Sequence, residues 1–325
     1  MNRTDAVAAG RELGRRLRER DLTAAPAALN LIESRAPNAR EQAQELLVEL
    51  SPAALGGEAP GHVIGVTGPP GVGKSSLLSR LVAEWRRRER SVAVLAVDPS
   101  SRRSGGSLLG DRVRIEADPH DKSVFVRSTA AGDRLGGLAP ATRSAAAALA
   151  AAFDVVVIET VGVGQSETEV ADVADTVAVV LQPASGDVLQ FLKAGIMEVP
   201  DVLVLTKADL EGPARRALAD LNAALLALGA TGTELCAVSS VPPPTGIDSL
   251  AEALEAHRAK LDLPARRRHA RRRHALDDFI AEHGERGLRR LGGRLEAQRW
   301  LERQEADLDV PTLARALEAR AEEPR

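Results

Sequence analysis

Residues 63–81 read VIGVTGPPGVGKSSLLSRL, a β-branched run, a turn of glycines and prolines, and apolar residues at helical spacing in direct succession. Within them, residues 68–75 match G-x-x-x-x-G-K-[ST] at every fixed position. Glycines in such a turn let backbone N–H groups point inward at an anion, and the helix that follows aims its positive end at the same place. Lys74 can then reach the β- and γ-phosphates of a nucleoside triphosphate. The Ser75 hydroxyl can take one position on a Mg²⁺ ion, and Ser76 assists at the α-phosphate. The expected phosphate-binding residues are Gly68, Pro69, Pro70, Gly71, Val72, Gly73, Lys74, Ser75 and Ser76.

Outward from this unit, the runs VAVLAV (92–97), SVFVR (123–127), VVVIE (155–159), VAVVL (177–181) and VLVLT (202–206) alternate with helical segments. That alternation predicts an α/β fold of the P-loop NTPase type, three layers α/β/α around a mostly parallel sheet, over residues 61–260. An N-terminal helical extension occupies 1–60, where the spacing in 25–50 predicts two short helices broken at Ala36 and Pro37. Beyond residue 261 the strand signal stops. Residues 261–325 read as charged helices with sparse apolar anchors, the kind that pack on a partner subunit or wrap the main domain.

Composition limits the partners. A net charge of -3 leaves no global basic field for nucleic acid or an anionic membrane. Cys236 is the only cysteine, which rules out an internal disulfide and an all-cysteine metal site within one chain. Residues 1–21 lack the apolar core of a signal peptide, and the longest apolar run, 145–153, is too short for a bilayer, so a cytoplasmic location is expected.

Ligands of parallel α/β sheets bind at the carboxyl ends of the strands, where this chain places Asp98 and Glu159. Both acids are expected near the magnesium and the γ-phosphate, by direct coordination, through water, or by orienting the attacking water. Asp98 also precedes Pro99, a common turn opener. Gly162 follows the second acid by three residues, where a backbone N–H can sense a γ-phosphate, and Gln165 can orient water or face solvent.

Strand VLVLT runs into Thr206, Lys207 and Asp209, an [NT]-K-x-D pattern. The carboxylate accepts paired hydrogen bonds from guanine N1–H and N2–H₂, and the lysine stem covers the ring. Adenine lacks those donors and would leave the acid unpaired, so GTP and GDP are the expected nucleotides. The run CAVSSV (236–241) predicts a late strand that brings Ser239, Ser240 and Val241 to the base, with Cys236 as a small buried apolar residue.

Together GPPGVGKSSLLSRL, VDPSSRRSGGSLLGDRVR, ETVGVGQSE, GDVLQFLKAGIMEVPDVLVLTKADL and the N-terminal LNLIESRAPNAREQAQELL resemble the MeaB/ArgK family, the methylmalonyl-CoA mutase-associated GTPases of the SIMIBI class. The resemblance spans residues 25–260 in chain order. It implies a homodimeric, Mg²⁺-dependent GTPase that binds an adenosylcobalamin-dependent acyl-CoA mutase and gates its cofactor. Carried over, the metal and switch residues are Ser75, Asp98, Asp111 and Glu159, and Lys193 lies in a segment that responds to the mutase and supports hydrolysis. The chain departs from the family at STAAGDRLGG, where Arg134 is displaced from the usual Arg-Gly pair.

Two other readings compete. The phosphate loop alone also suits a kinase of a transport protein. The tract ARRRHARRRHALDD (265–278), with six arginines in eight residues, could make the chain a binding module that grips nucleic acid. No aromatic residues interleave there, which favours a solvated helix or an acidic protein partner instead.

Overall fold

The computed structural model describes residues 3–34, 36, 38–98, 115–116, 118–130, 138, 140–160, 170–183, 200–230 and 232–323. The helices are α1 (Arg3–Arg18), α2 (Ala25–Glu33), α3 (Ala39–Val48), α4 (Pro52–Leu55), α5 (Lys74–Arg87), α6 (Pro140–Ala152), α7 (Glu211–Ala227), α8 (Ile247–Lys260), α9 (Leu263–Arg290), α10 (Arg294–Glu302) and α11 (Val310–Glu322). The strands are β1 (His62–Thr67), β2 (Val92–Asp98), β3 (Val124–Ala130), β4 (Val155–Glu159), β5 (Thr176–Leu181), β6 (Val202–Leu205) and β7 (Glu234–Ala237). Two compact units share them, one of 62–142 with 153–261, the other of 1–61 with 143–152 and 262–325.

In the first unit all seven strands form one sheet in the order β3-β2-β4-β1-β5-β6-β7, and every pairing is parallel. Each β-branched run read from the sequence is a strand. The late strand differs, because it is Glu234–Ala237 and ends before Ser239. Its neighbour β6 stops at Leu205, so no ladder remains to extend, and Ser239 instead exchanges backbone hydrogen bonds with Thr245. On one face, Ile64, Val66, Val94, Val157 and Val180 pack with Leu77, Leu81 and Trp85 of α5 and Leu250 and Leu254 of α8. Strands buried on both faces explain why they read as continuous apolar runs.

The amino ends of the strands are closed by side chains. Asp154, Asp175 and Asp201 each stand one residue before a strand and accept the N–H of a neighbouring segment, Ser91 at 2.8 Å, Val63 at 2.9 Å and Val177 at 2.8 Å. The buried Thr176 hydroxyl lies 2.8 Å from His62 Nε2 and 2.9 Å from His257 Nδ1, and His257 Nε2 is 3.2 Å from Asp201 Oδ1. Satisfied polar groups at this edge fix the register.

In the second unit the charged C-terminal helices bury Leu276, Phe279, Leu288, Leu301, Leu313 and Leu317 against one another. The arginine tract serves this unit from within. Arg267 donates to Ala59 O and Gly61 O, each at 2.6 Å, and Arg271 pairs with Glu58 at 2.8 Å and reaches the carbonyls of Ala306 and Leu308. Arg272 donates to Gln304 O at 2.8 Å. These guanidinium groups cap loop carbonyls, a use that their spacing along the helix does not disclose.

Helix α1, not singled out within the helical extension expected over 1–60, packs on α3 in the same unit. Its buried stripe includes Gly10, Gly14 and Leu17, and glycine's poor helix propensity conceals the period. A Cβ on Gly10 would lie 2.2 Å from Gln42 O. Gly10→Val is therefore expected to cost about 2–3 kcal/mol by overpacking and to lower the melting temperature by roughly 5–10 °C. Thermal denaturation followed by circular dichroism checks this, and an unchanged transition would remove α1 from its place on α3. Among the described residues, no helix is long and apolar enough to cross a membrane.

Candidate nucleotide site

The turn between β1 and α5 carries the phosphate-loop residues. Gly68 has φ 143°, and a Cβ there would lie 2.1 Å from Val180 O, so no side chain fits. Val72 is buried in the core and anchors the turn from beneath, while Pro70, Gly71 and Ser76 are exposed and Pro69 is half-buried. Gly73 caps α5 without a side chain, so no side-chain cap competes for the N–H groups of the first turn. Lys74 is buried and donates from Nζ to Gly68 O at 2.6 Å and Pro69 O at 3.0 Å. A buried ammonium requires such acceptors, and they hold the cation inside the mouth of the loop.

Strand β4 lies beside β1 with Val66 level with Glu159. This register brings Ser75 Oγ to 3.0 Å from Glu159 Oε1, where the hydroxyl donates. A serine that gives its proton to a carboxylate keeps its oxygen lone pairs for a cation. Oxygen donors are the ligand set that suits Mg²⁺, so these two residues fit the ion. The backbone of Asp98 closes β2 two positions beyond Ala96, the partner of Glu159. The side chain of Asp98 and the whole of Asp111, Arg134, Gly162, Gln165 and Lys193 lie outside the described residues.

The segment 206–209 after β6 is joined to the phosphate loop by Thr206. Its buried hydroxyl is 2.6 Å from Val72 O and 2.9 Å from Leu181 O, and its N–H donates to Leu181 O at 2.8 Å. Lys207 adopts φ 54°, a left-handed conformation uncommon outside glycine. The adjoining N–H groups of Ala208 and Leu210 are both bonded, to Val238 O and Lys207 O. That bend sends Lys207 Nζ to Gln182 Oε1 and to within 3.4 Å of Gly71 O, over the phosphate loop. Asp209 Oδ1 accepts from Ser239 Oγ at 2.6 Å, and the same hydroxyl accepts from Val241 N at 3.3 Å. Val241 is 58% exposed.

Two residues of this region escape sequence reasoning. Gln182 directly follows β5 at the carboxyl edge, a position that signals a site even though its residue type does not. Arg80, on α5, donates from Nε to Ser240 O at 3.1 Å across 160 residues of chain, and no local pattern marks it. Cys236 packs against the core, and burial, followed by nearby Glu234, pushes its thiol up to about 11. It stays protonated and inert.

The profile of the family described as "Methylmalonyl Co-A mutase-associated GTPase MeaB" matches residues 25–288. A Mycobacterium tuberculosis (strain H37Rv) protein named "Probable GTPase" is 46% identical over 208 residues, 63% of this chain and 61% of its own length. A Caenorhabditis elegans protein named "Methylmalonic aciduria type A homolog, mitochondrial" is 40% identical over 208 residues, 61% of this chain and 52% of its own. The matched segment thus covers less than two thirds of either relative. Among solved structures, one described as "Crystal structure of LAO/AO transport system kinase" superposes with a TM-score of 0.60 at 26% identity, over 96% of this chain and 97% of that one.

Proposed function

Because the chain belongs to the family of methylmalonyl Co-A mutase-associated GTPases, we propose that it hydrolyses GTP and uses the cycle to chaperone an adenosylcobalamin-dependent acyl-CoA mutase. The observation that carries this reading is the hydrogen bond from Thr206 Oγ1 to Val72 O, which locks a guanine-reading segment onto a phosphate loop. In the proposed site, Lys74 and the N–H groups at the start of α5 bind the phosphates. Asp209, held by Ser239, reads N1–H and N2–H₂ of the base, the Lys207 stem covers it, and Ser240 and Val241 frame it. Ser75 and Glu159 would hold Mg²⁺, joined by Asp98 and Asp111. When bound, the ion supplies charge neutralisation at the β- and γ-phosphate oxygens. Glu159 extends its carboxylate one methylene further than aspartate would, toward the place of the attacking water.

Gating of cofactor loading, protection of the mutase, assembly as a homodimer and a switch built on Gly162 and Lys193 complete the proposal and rest on the family relationship. No arginine stands at a fixed place in the γ-phosphate motifs, so turnover alone should be slow and the mutase should raise it. Phosphate release from GTP is expected to quicken at least roughly tenfold on adding a cognate mutase. Equal rates with and without every such mutase would sink the chaperone reading.

The kinase-described neighbour supports a second reading, phosphoryl transfer to a transport protein. With γ-labelled GTP, that reading requires label on protein. The proposed function requires it in free phosphate.

A further inference from the structure

We propose that Arg80 is a positioning residue for guanine recognition, coupling the phosphate-loop helix to the loop that aims Asp209. This inference rests on the assignment of Asp209 to the base. Arg80 lies four residues beyond Ser76 on α5, one turn along from the anion-facing end of the helix. Its Nε donates to Ser240 O at 3.1 Å in a half-buried position. Ser240 belongs to a short irregular loop, so its placement depends on its few bonds.

Those bonds run in one direction. Arg80 holds the carbonyl of Ser240. On its amino side, Ser239 is bridged to Thr245 at 3.0 and 3.1 Å and sends its hydroxyl to Asp209 Oδ1 at 2.6 Å. On the other side, the N–H of Val241 returns to Ser239 Oγ at 3.3 Å. The Ser239 hydroxyl therefore has its proton committed to Asp209 and a lone pair committed to Val241, and both geometries shift if residue 240 moves. A carboxylate that must meet two donors of a planar base tolerates little displacement. Among the described residues, the Arg80 bond is the only side-chain bond that anchors this loop to the phosphate-loop helix. Thr206 makes the corresponding tie at the other end of the base-reading segment, to Val72.

The consequence is specific to the base. Loss of the Arg80 donor should loosen the loop and weaken ligands in proportion to their use of Asp209, while the phosphate contacts of Lys74 and Ser75 stay intact. Inosine diphosphate provides the comparison, since it carries the phosphates and N1–H of guanosine diphosphate but lacks the N2 amine.

The experiment measures dissociation constants of GDP and IDP for the full chain and for Arg80→Met, which keeps an aliphatic stem and removes the donor. GDP is expected to weaken by roughly fivefold to tenfold and IDP, which keeps one of the two donors to Asp209, by only about twofold to threefold, with kcat for GTP unchanged and KM raised. Arg80→Lys, which restores a donor, should recover most of the GDP affinity. Equal weakening of GDP and IDP would reduce Arg80 to a general support of α5. No weakening of GDP, or no recovery with lysine, would also overturn the proposal. Asp209→Ala in the same assay isolates the premise: if it leaves the GDP-to-IDP ratio of the wild type unchanged, the base assignment itself has failed, whatever Arg80 does. Should Arg80→Met not fold, Arg80→Leu, which also lacks a donor, is measured against the same criteria.

Discussion

Alanine at Lys74 is expected to lower GTP turnover by roughly 10²–10³-fold, the cost of removing one preorganised charge donor from a phosphoryl-transfer site. The ammonium is buried and sits between Gly68 O at 2.6 Å and Pro69 O at 3.0 Å. It is thus placed before a substrate arrives, and no reorganisation is needed when charge develops on the γ-phosphate. Arginine should not rescue it. A planar guanidinium cannot enter a slot shaped for a single nitrogen between two carbonyls of one turn. The melting temperature should fall only modestly in Lys74→Ala, because the alanine leaves one buried carbonyl, Gly68 O, without its lysine donor while Pro69 O is part-buried. Phosphate-release kinetics beside a thermal melt check both statements, and turnover within threefold of the wild type would take Lys74 out of the chemistry.

Asn at Asp209 should exchange one base for another. Each hydrogen bond to the charged carboxylate contributes about 1.5–3 kcal/mol, so losing the guanine pair should weaken GDP by roughly 10²–10⁴-fold. Xanthine presents a carbonyl where guanine carries the amine, and the asparagine amide offers a donor to it while accepting from N1–H. Ser239 can still donate to the oxygen that remains, at the 2.6 Å position seen with aspartate. The expected result is a preference for XDP over GDP in equilibrium binding, with XTP turned over at a rate near that of GTP by the wild type. Equal loss of GDP, IDP and XDP would mean that Asp209 supports the loop and does not read the base.

Much of the site is legible in linear order because its chemistry is local. The G-x-x-x-x-G-K-[ST] spacing places a lysine and a serine on the first turn of α5 wherever it follows a strand. Glu159 ends a strand, so its side chain belongs to the carboxyl edge, and Asp209 follows β6 for the same reason. The sheet was equally readable, since strands buried on both faces spell themselves out as valine-rich runs. Helix α1 was not, because two of its contact residues are glycines and leave no hydrophobic period.

By itself, then, the amino-acid sequence determined the strand–loop–helix phosphate loop, the parallel α/β architecture and the placing of an acid, Asp209, just after β6, all set by spacings within a few residues. Only the tertiary structure decided what joins them: Thr206 to Val72 across 134 residues, Arg80 to Ser240 across 160, Ser75 to Glu159 across 84. It also decided that the N- and C-terminal helices share one unit, and that the arginines of α9 hold the carbonyls of its loops. Periodicity tells which face a side chain occupies. Its partner is chosen by the register of strands and helices that meet only when the chain closes on itself, and no local pattern carries that information.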